Sequence, residues 1–126
     1  MPLAVVSAFI IPADQAAVQP AYEDRLLREL EDIVTAIPHD ELAIQWDMAV
    51  EIGLLEDVFS APFPDVRAAI LERLIRVGNR VPADVELGYH LCYGDAEHRH
   101  FKQPADLAKP VDLANALVAG VQRPLT

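Results

Sequence analysis

The sequence predicts an α/β fold with parallel strands and amphipathic helices, arranged as part of a (β/α) barrel. Three observations carry this prediction. Two short segments, Leu42–Asp47 and Val85–Tyr93, alternate bulky apolar residues with small or polar ones, the period-two mark of a strand with one covered face. Three stretches, Ala21–Ile37, Pro64–Val81 and Pro110–Gly120, place apolar residues at helical spacing. The order helix, strand, helix, strand, helix, with connections of this length, suits β/α units.

The elements follow in order. Leu3–Ile11 is apolar apart from Ser7; periodicity allows a buried strand or a short helix. Pro12 closes it, and Asp14–Pro20 reads as a loop. In Ala21–Ile37, Tyr22, Leu26, Leu27, Leu30, Ile33, Val34 and Ile37 share one face, with Glu23, Asp24, Arg28, Glu31 and Asp32 mostly opposite. The acidic first turn suits the helix dipole, and Pro38 ends the run. In Leu42–Asp47, Leu42, Ile44 and Trp46 take one face and Ala43, Gln45 and Asp47 the other. Asp47 at the strand's end also suits a helix N-cap.

Met48–Phe63 reads as a short helix or irregular loop, of the kind that follows a strand at an active-site rim. Pro64 or Asp65 starts the next helix, whose buried stripe is Val66, Ala69, Ile70, Leu74, Val77 and Val81. Gly78 and Asn79 end it, and Pro82 forbids continuation. The second strand presents Val85, Leu87, Tyr89, Leu91 and Tyr93 on its apolar face, and Glu86, Gly88, His90, Cys92 and Gly94 on its polar face. Gly94–Lys109 is polar loop. Pro110–Gly120 turns Val111, Ala114, Leu117 and Val118 inward, with Gly120 as C-cap.

Two strands with covered outer faces and polar inner faces suit a barrel better than an open doubly wound sheet. In a barrel the functional groups sit at the C-terminal strand ends, where Asp47, His90 and Cys92 fall. The 126 residues make one domain of ordinary size but fall short of the roughly 200–250 residues of a whole barrel.

Composition narrows the function. The chain is 52% hydrophobic, with mean hydropathy +0.18, enough for a core, yet no apolar run reaches the roughly 18–20 residues of a membrane helix. MPLAVVSAFIIP lacks a basic n-region and a small-residue cleavage site, so it does not read as a signal peptide. Ten basic residues against 20 acidic ones, a net charge of −10, argue against nucleic-acid binding. One cysteine excludes an internal disulfide and fits a reducing cytoplasm. It also excludes a zinc cage built on two or more cysteines of one chain.

The chemistry concentrates in VELGYHLCYGDAEHRH, residues 85–100. His90 and Cys92 offer an imidazole nitrogen and a thiolate to a common point, a mixture that zinc accepts. A buried Cys acting as a small hydrophobe is the plainer reading. Asp95, Glu97, His98 and His100 are local sources of further ligands. Mutual activation of His90 and Cys92 as a nucleophilic pair is disfavoured, because side chains two apart on a strand point in parallel. There is no glycine-rich phosphate loop.

LAIQWD, followed one β/α unit later by GYHLCYG, is similar to the C-terminal catalytic barrel of cobalamin-independent methionine synthase and its relatives. HLCYGD, HRHF and VDLANAL look more like the uncharacterised branch of that superfamily, which also includes the uroporphyrinogen decarboxylase fold. The resemblance spans roughly Pro2–Thr126 and covers a middle slice of the family's TIM barrel. It implies a single partial barrel domain, with Leu3–Ile11 as loop or helix. It implies zinc held by His90 and Cys92, and substrate binding at Asp47, which matches the family's amino-group site, and at Gln45 of the same motif. The implied activity is methyl or alkyl transfer to a small-molecule thiol.

The family's remaining ligands, a Glu and a second Cys, lie on later strands absent here, and Met48 stands where the synthase has an acidic residue. Little or no activity alone is therefore expected, with self-association or dependence on a missing barrel segment. The alternative is a binding module that uses the same rim without metal. A third arrangement would place a metal on His90, Cys92, His98 and His100.

Overall fold

The computed structural model describes residues 2–126. In chain order the elements are α1 (Ala4–Phe9), α2 (Pro12–Ala36), a 3-10 turn at His39–Glu41, β1 (Ala43–Asp47), α3 (Ala49–Leu55), α4 (Val66–Asn79), β2 (Glu86–His90) and α5 (Ala108–Gly120). β1 and β2 form a two-stranded parallel sheet, in register from Ala43 opposite Glu86 to Asp47 opposite His90. The chain is thus mixed helix and strand, with its parallel pair joined through α3 and α4.

The first apolar stretch takes its helical option, as α1. The expected loop at Asp14–Pro20 is instead the first part of α2. Pro12 starts that helix, where its fixed φ and missing N–H cost nothing. Pro20 lies inside it, against its usual helix-breaking effect. Buried side chains fix the path around it. Gln15 Nε2 donates to Ile10 O at 3.0 Å, and Gln19 Nε2 donates to Pro2 O at 2.6 Å and to Glu23 Oε1 at 2.7 Å. Glu23, expected on the solvated face, is buried and receives Arg73 Nε at 2.6 Å and Arg76 Nη2. Helical periodicity weighs only apolar residues, so a buried polar ladder escapes it.

One face of the sheet is covered. Trp46, Val85 and Leu87 pack with Leu30 of α2, Val77 of α4, Val81 and Val121. The other face is open: Ala43, Gln45, Asp47, Glu86 and His90 are all exposed. At the outer edge of β2, Thr126 N–H donates to Leu87 O at 2.9 Å. Arg123 donates to the carbonyls of Val81 and Ala83 at 3.0 and 3.4 Å, and also to those of Pro82 and Val85, which holds the turn into β2.

A second cluster lies around α3 and α4: Leu3, Met48, Ile52, Ile70, Leu74, Tyr93, Leu113 and Leu117. Asp65 caps α4 by accepting from Ala68 N–H at 2.9 Å, as its N-cap position favours. The expected stripe of α4 is buried, apart from the partly exposed Val66. α5 corrects its prediction. Leu113 and Leu117 face the core, while Val111 is 53% and Val118 69% exposed. Leu113 and Leu117 are one helical turn apart, and larger than the valines; burying them removes more apolar surface.

Gly120 is the last residue of α5, and Val121 is its C-cap. The regular part of the second strand stops at His90 rather than Tyr93.

Candidate metal centre

The register Asp47 opposite His90 decides the site. Strand ends in a parallel pair lie side by side, so an Asp closing β1 meets a His closing β2. Met48 N–H donates to His90 O at 3.0 Å and locks that juncture, with the Met48 side chain fully buried behind it. Asp47 Oδ1 lies 3.6 Å from His90 Nδ1. Cys92, two residues past His90 and half-buried, donates its thiol to the same Oδ1 across 3.8 Å.

The donor atoms of Asp47, His90 and Cys92 all fall within 4.8 Å of one another. A tetrahedral zinc with ordinary bond lengths spaces an O–N pair by about 3.3 Å and an O–S pair by about 3.5 Å. The two contacts to Asp47 Oδ1 are within a few tenths of an ångström of those edges. The mixed N, O and S set suits zinc, so these residues fit that ion. The Asp47 and His90 side chains are each 51% exposed, which leaves a side open to water or substrate.

Sequence reasoning paired His90 with Cys92 and gave Asp47 to the substrate; in the fold the Asp47 carboxylate lies beside both. No other such grouping of three or more His, Cys, Asp or Glu occurs among the described residues. The local arrangement with His98 and His100 is therefore not formed. Those two line a neighbouring cavity instead. Gln45 is exposed on the sheet's open face and lines a groove between β1 and α2, with Leu26 and Leu30.

Glu51 was not anticipated. It lies in α3, fully buried; its Oε1 accepts from Leu3 N–H at 3.0 Å and its Oε2 has no hydrogen-bond partner among the described residues. Burial, reinforced by the charge of Asp47, pushes its carboxyl above the usual range against the effect of that hydrogen bond. The signal for it was an acidic residue at the core spacing of a short helix, next to Ile52.

The segment after Cys92 is pinned. Tyr93 is buried, and its hydroxyl donates to Glu56 at 3.3 Å. Lys102 and Lys109 reach the same Glu56 carboxylate at 2.8 and 3.2 Å and hold its pKa below the usual range, Lys102 most strongly. Gly94 has a left-handed backbone, φ +76°, and lies under the Phe101 ring. Phe101 N–H donates to Tyr93 O at 3.1 Å.

No helix among the described residues is long and apolar enough to cross a membrane. Compared with protein-family models, curated proteins and solved structures, the chain matches none of them.

Proposed function

We propose that this chain is a partial (β/α) barrel whose strand ends hold zinc for alkyl transfer to a small-molecule thiol. One observation carries the reading: a carboxylate, an imidazole and a thiol converge at the C-terminal ends of two parallel strands, with Asp47 Oδ1 at 3.6 and 3.8 Å from its partners. That is where barrel folds place their chemistry. A bound zinc would keep a substrate thiol deprotonated while leaving it nucleophilic.

The chain's own residues have separable parts in this. Asp47, His90 and Cys92 hold the ion. Burial raises the pKa of Glu51, which favours its neutral form behind Asp47. The open sheet face at Ala43, Gln45 and Glu86 leaves the site wet, so we expect weak activity from this chain alone. That open face also suits self-association or docking of a further barrel segment.

The test is zinc content and affinity of the purified chain beside Cys92→Ser, Asp47→Asn and the pair His98→Ala/His100→Ala. We expect stoichiometric zinc, weakened about tenfold or more by either of the first two changes and unaffected by the histidine pair. Zinc that ignores Asp47→Asn and Cys92→Ser would sink the proposed site. No zinc above background would favour the alternative, a metal-free binding module on the same rim.

A further inference from the structure

Cations are scarce in this chain and almost all are engaged. Arg73 and Arg76 share Glu23, Lys102 and Lys109 share Glu56, and Arg123 is taken up by main-chain carbonyls. The Arg99 guanidinium makes no hydrogen bond or ion pair among the described residues, although 20 carboxylates are available in the chain. Arg28 shares that state, but stands alone on the outer face of α2.

Arg99 instead lines a cavity of about 510 Å³ with Gly94, Asp95, His98, His100 and Gln103, a size that suits a small molecule. A tight turn shapes its wall. Ala96 and Arg99 form an antiparallel bridge, with Arg99 N–H donating to Ala96 O at 3.1 Å. The two residues between them, Glu97 and His98, both have left-handed backbones, φ 56° and 60°. Neither is glycine, so the turn is strained at both positions. Along the chain the cavity follows Cys92: its first wall residue, Gly94, is two positions beyond it, and the Tyr93 ring lies 6.0 Å from that of His100.

We propose that this cavity is an anion subsite, reading a monoanionic carboxylate on the thiol substrate through Arg99. A guanidinium fork matches a carboxylate, and the ring nitrogens of His98 and His100 and the amide of Gln103 supply further donors. Asp95 in the same wall and the net charge of −10 disfavour the doubly charged phosphate. That the carboxylate belongs to a thiol rests on the function proposed above; the anion subsite itself does not.

The experiment follows the side-chain NMR signals of His98 and His100 in the full chain at fixed pH. The probes are a short mercapto acid, β-mercaptoethanol and inorganic phosphate. We expect saturable shifts with the mercapto acid, at least tenfold weaker in Arg99→Ala and partly restored in Arg99→Lys, and none with β-mercaptoethanol. Unchanged binding in Arg99→Ala, or phosphate binding at least as tightly, would overturn the subsite. Cys92→Ser separates the two proposals. Mercapto-acid shifts that survive in it and still depend on Arg99 support the subsite even if zinc never binds. Shifts lost in Cys92→Ser but kept in Arg99→Ala overturn it.

Discussion

Gly94→Ala tests how the segment after the metal centre is held. Gly94 has φ +76°, where an alanine costs about 1–2 kcal/mol. A Cβ built there would lie 2.5 and 2.6 Å from Phe101 ring atoms, far inside van der Waals contact. The ring has little room to give. The Phe101 backbone N–H is bonded to Tyr93 O, and the Phe59 ring meets that of Phe101 edge-on with centroids 5.5 Å apart. Forcing an extra methyl into such a contact costs about 1–3 kcal/mol. Together these give a loss of about 2–5 kcal/mol.

With a urea m-value of about 2 kcal/mol/M for a chain of this size, the unfolding midpoint should fall by about 1–2.5 M. The double variant with Phe101→Ala removes the clash and leaves the backbone term, so the two changes should be non-additive by at least about 1 kcal/mol. A midpoint for Gly94→Ala within about 0.3 M of the wild type, or strict additivity in the cycle, would refute the packing argument.

Two further outcomes are expected. Leu113→Ala should cost about 2–5 kcal/mol and Val111→Ala less than about 0.5 kcal/mol in the same assay; equal costs would overturn the assigned face of α5. For Glu51, the folded carboxyl titrates above its unfolded value, so its contribution is full below about pH 4.3 and is lost as pH rises through the folded pKa. The stability of the wild type relative to Glu51→Gln should therefore decline with rising pH across that window; parallel stability–pH curves would remove the buried-acid account.

Both strands and the central helices were legible because they follow periodicity. Trp46 and Leu87 alternate with Gln45 and Gly88, and Ile70, Leu74 and Val77 recur at helical spacing. What was illegible depended on pairing across the chain. Asp47 lies beside His90 only because β1 and β2 meet in one register. The path through Pro20 is fixed by Gln15 and Gln19, whose bonds to Ile10 and Pro2 no apolar pattern encodes. The Arg99 guanidinium, like that of Arg28, lacks a partner among the described residues, a property that exists only after the other cations have found theirs. The inversion at Val111 and Val118 arose because several apolar stripes run along so hydrophobic a helix, and the neighbouring helices choose among them.

The parallel juncture of Asp47 with His90 and Cys92 also governs when the site can exist. Asp47 and Cys92 are 45 residues apart in sequence, with two helices between them. A parallel strand pair cannot close through a tight turn, so this contact has high contact order and must await the ordering of the intervening chain. No short peptide containing only His90 and Cys92 reproduces the three-donor set. An ion held there would act as a staple across the whole crossover, and binding free energy would be felt as folding free energy by linkage.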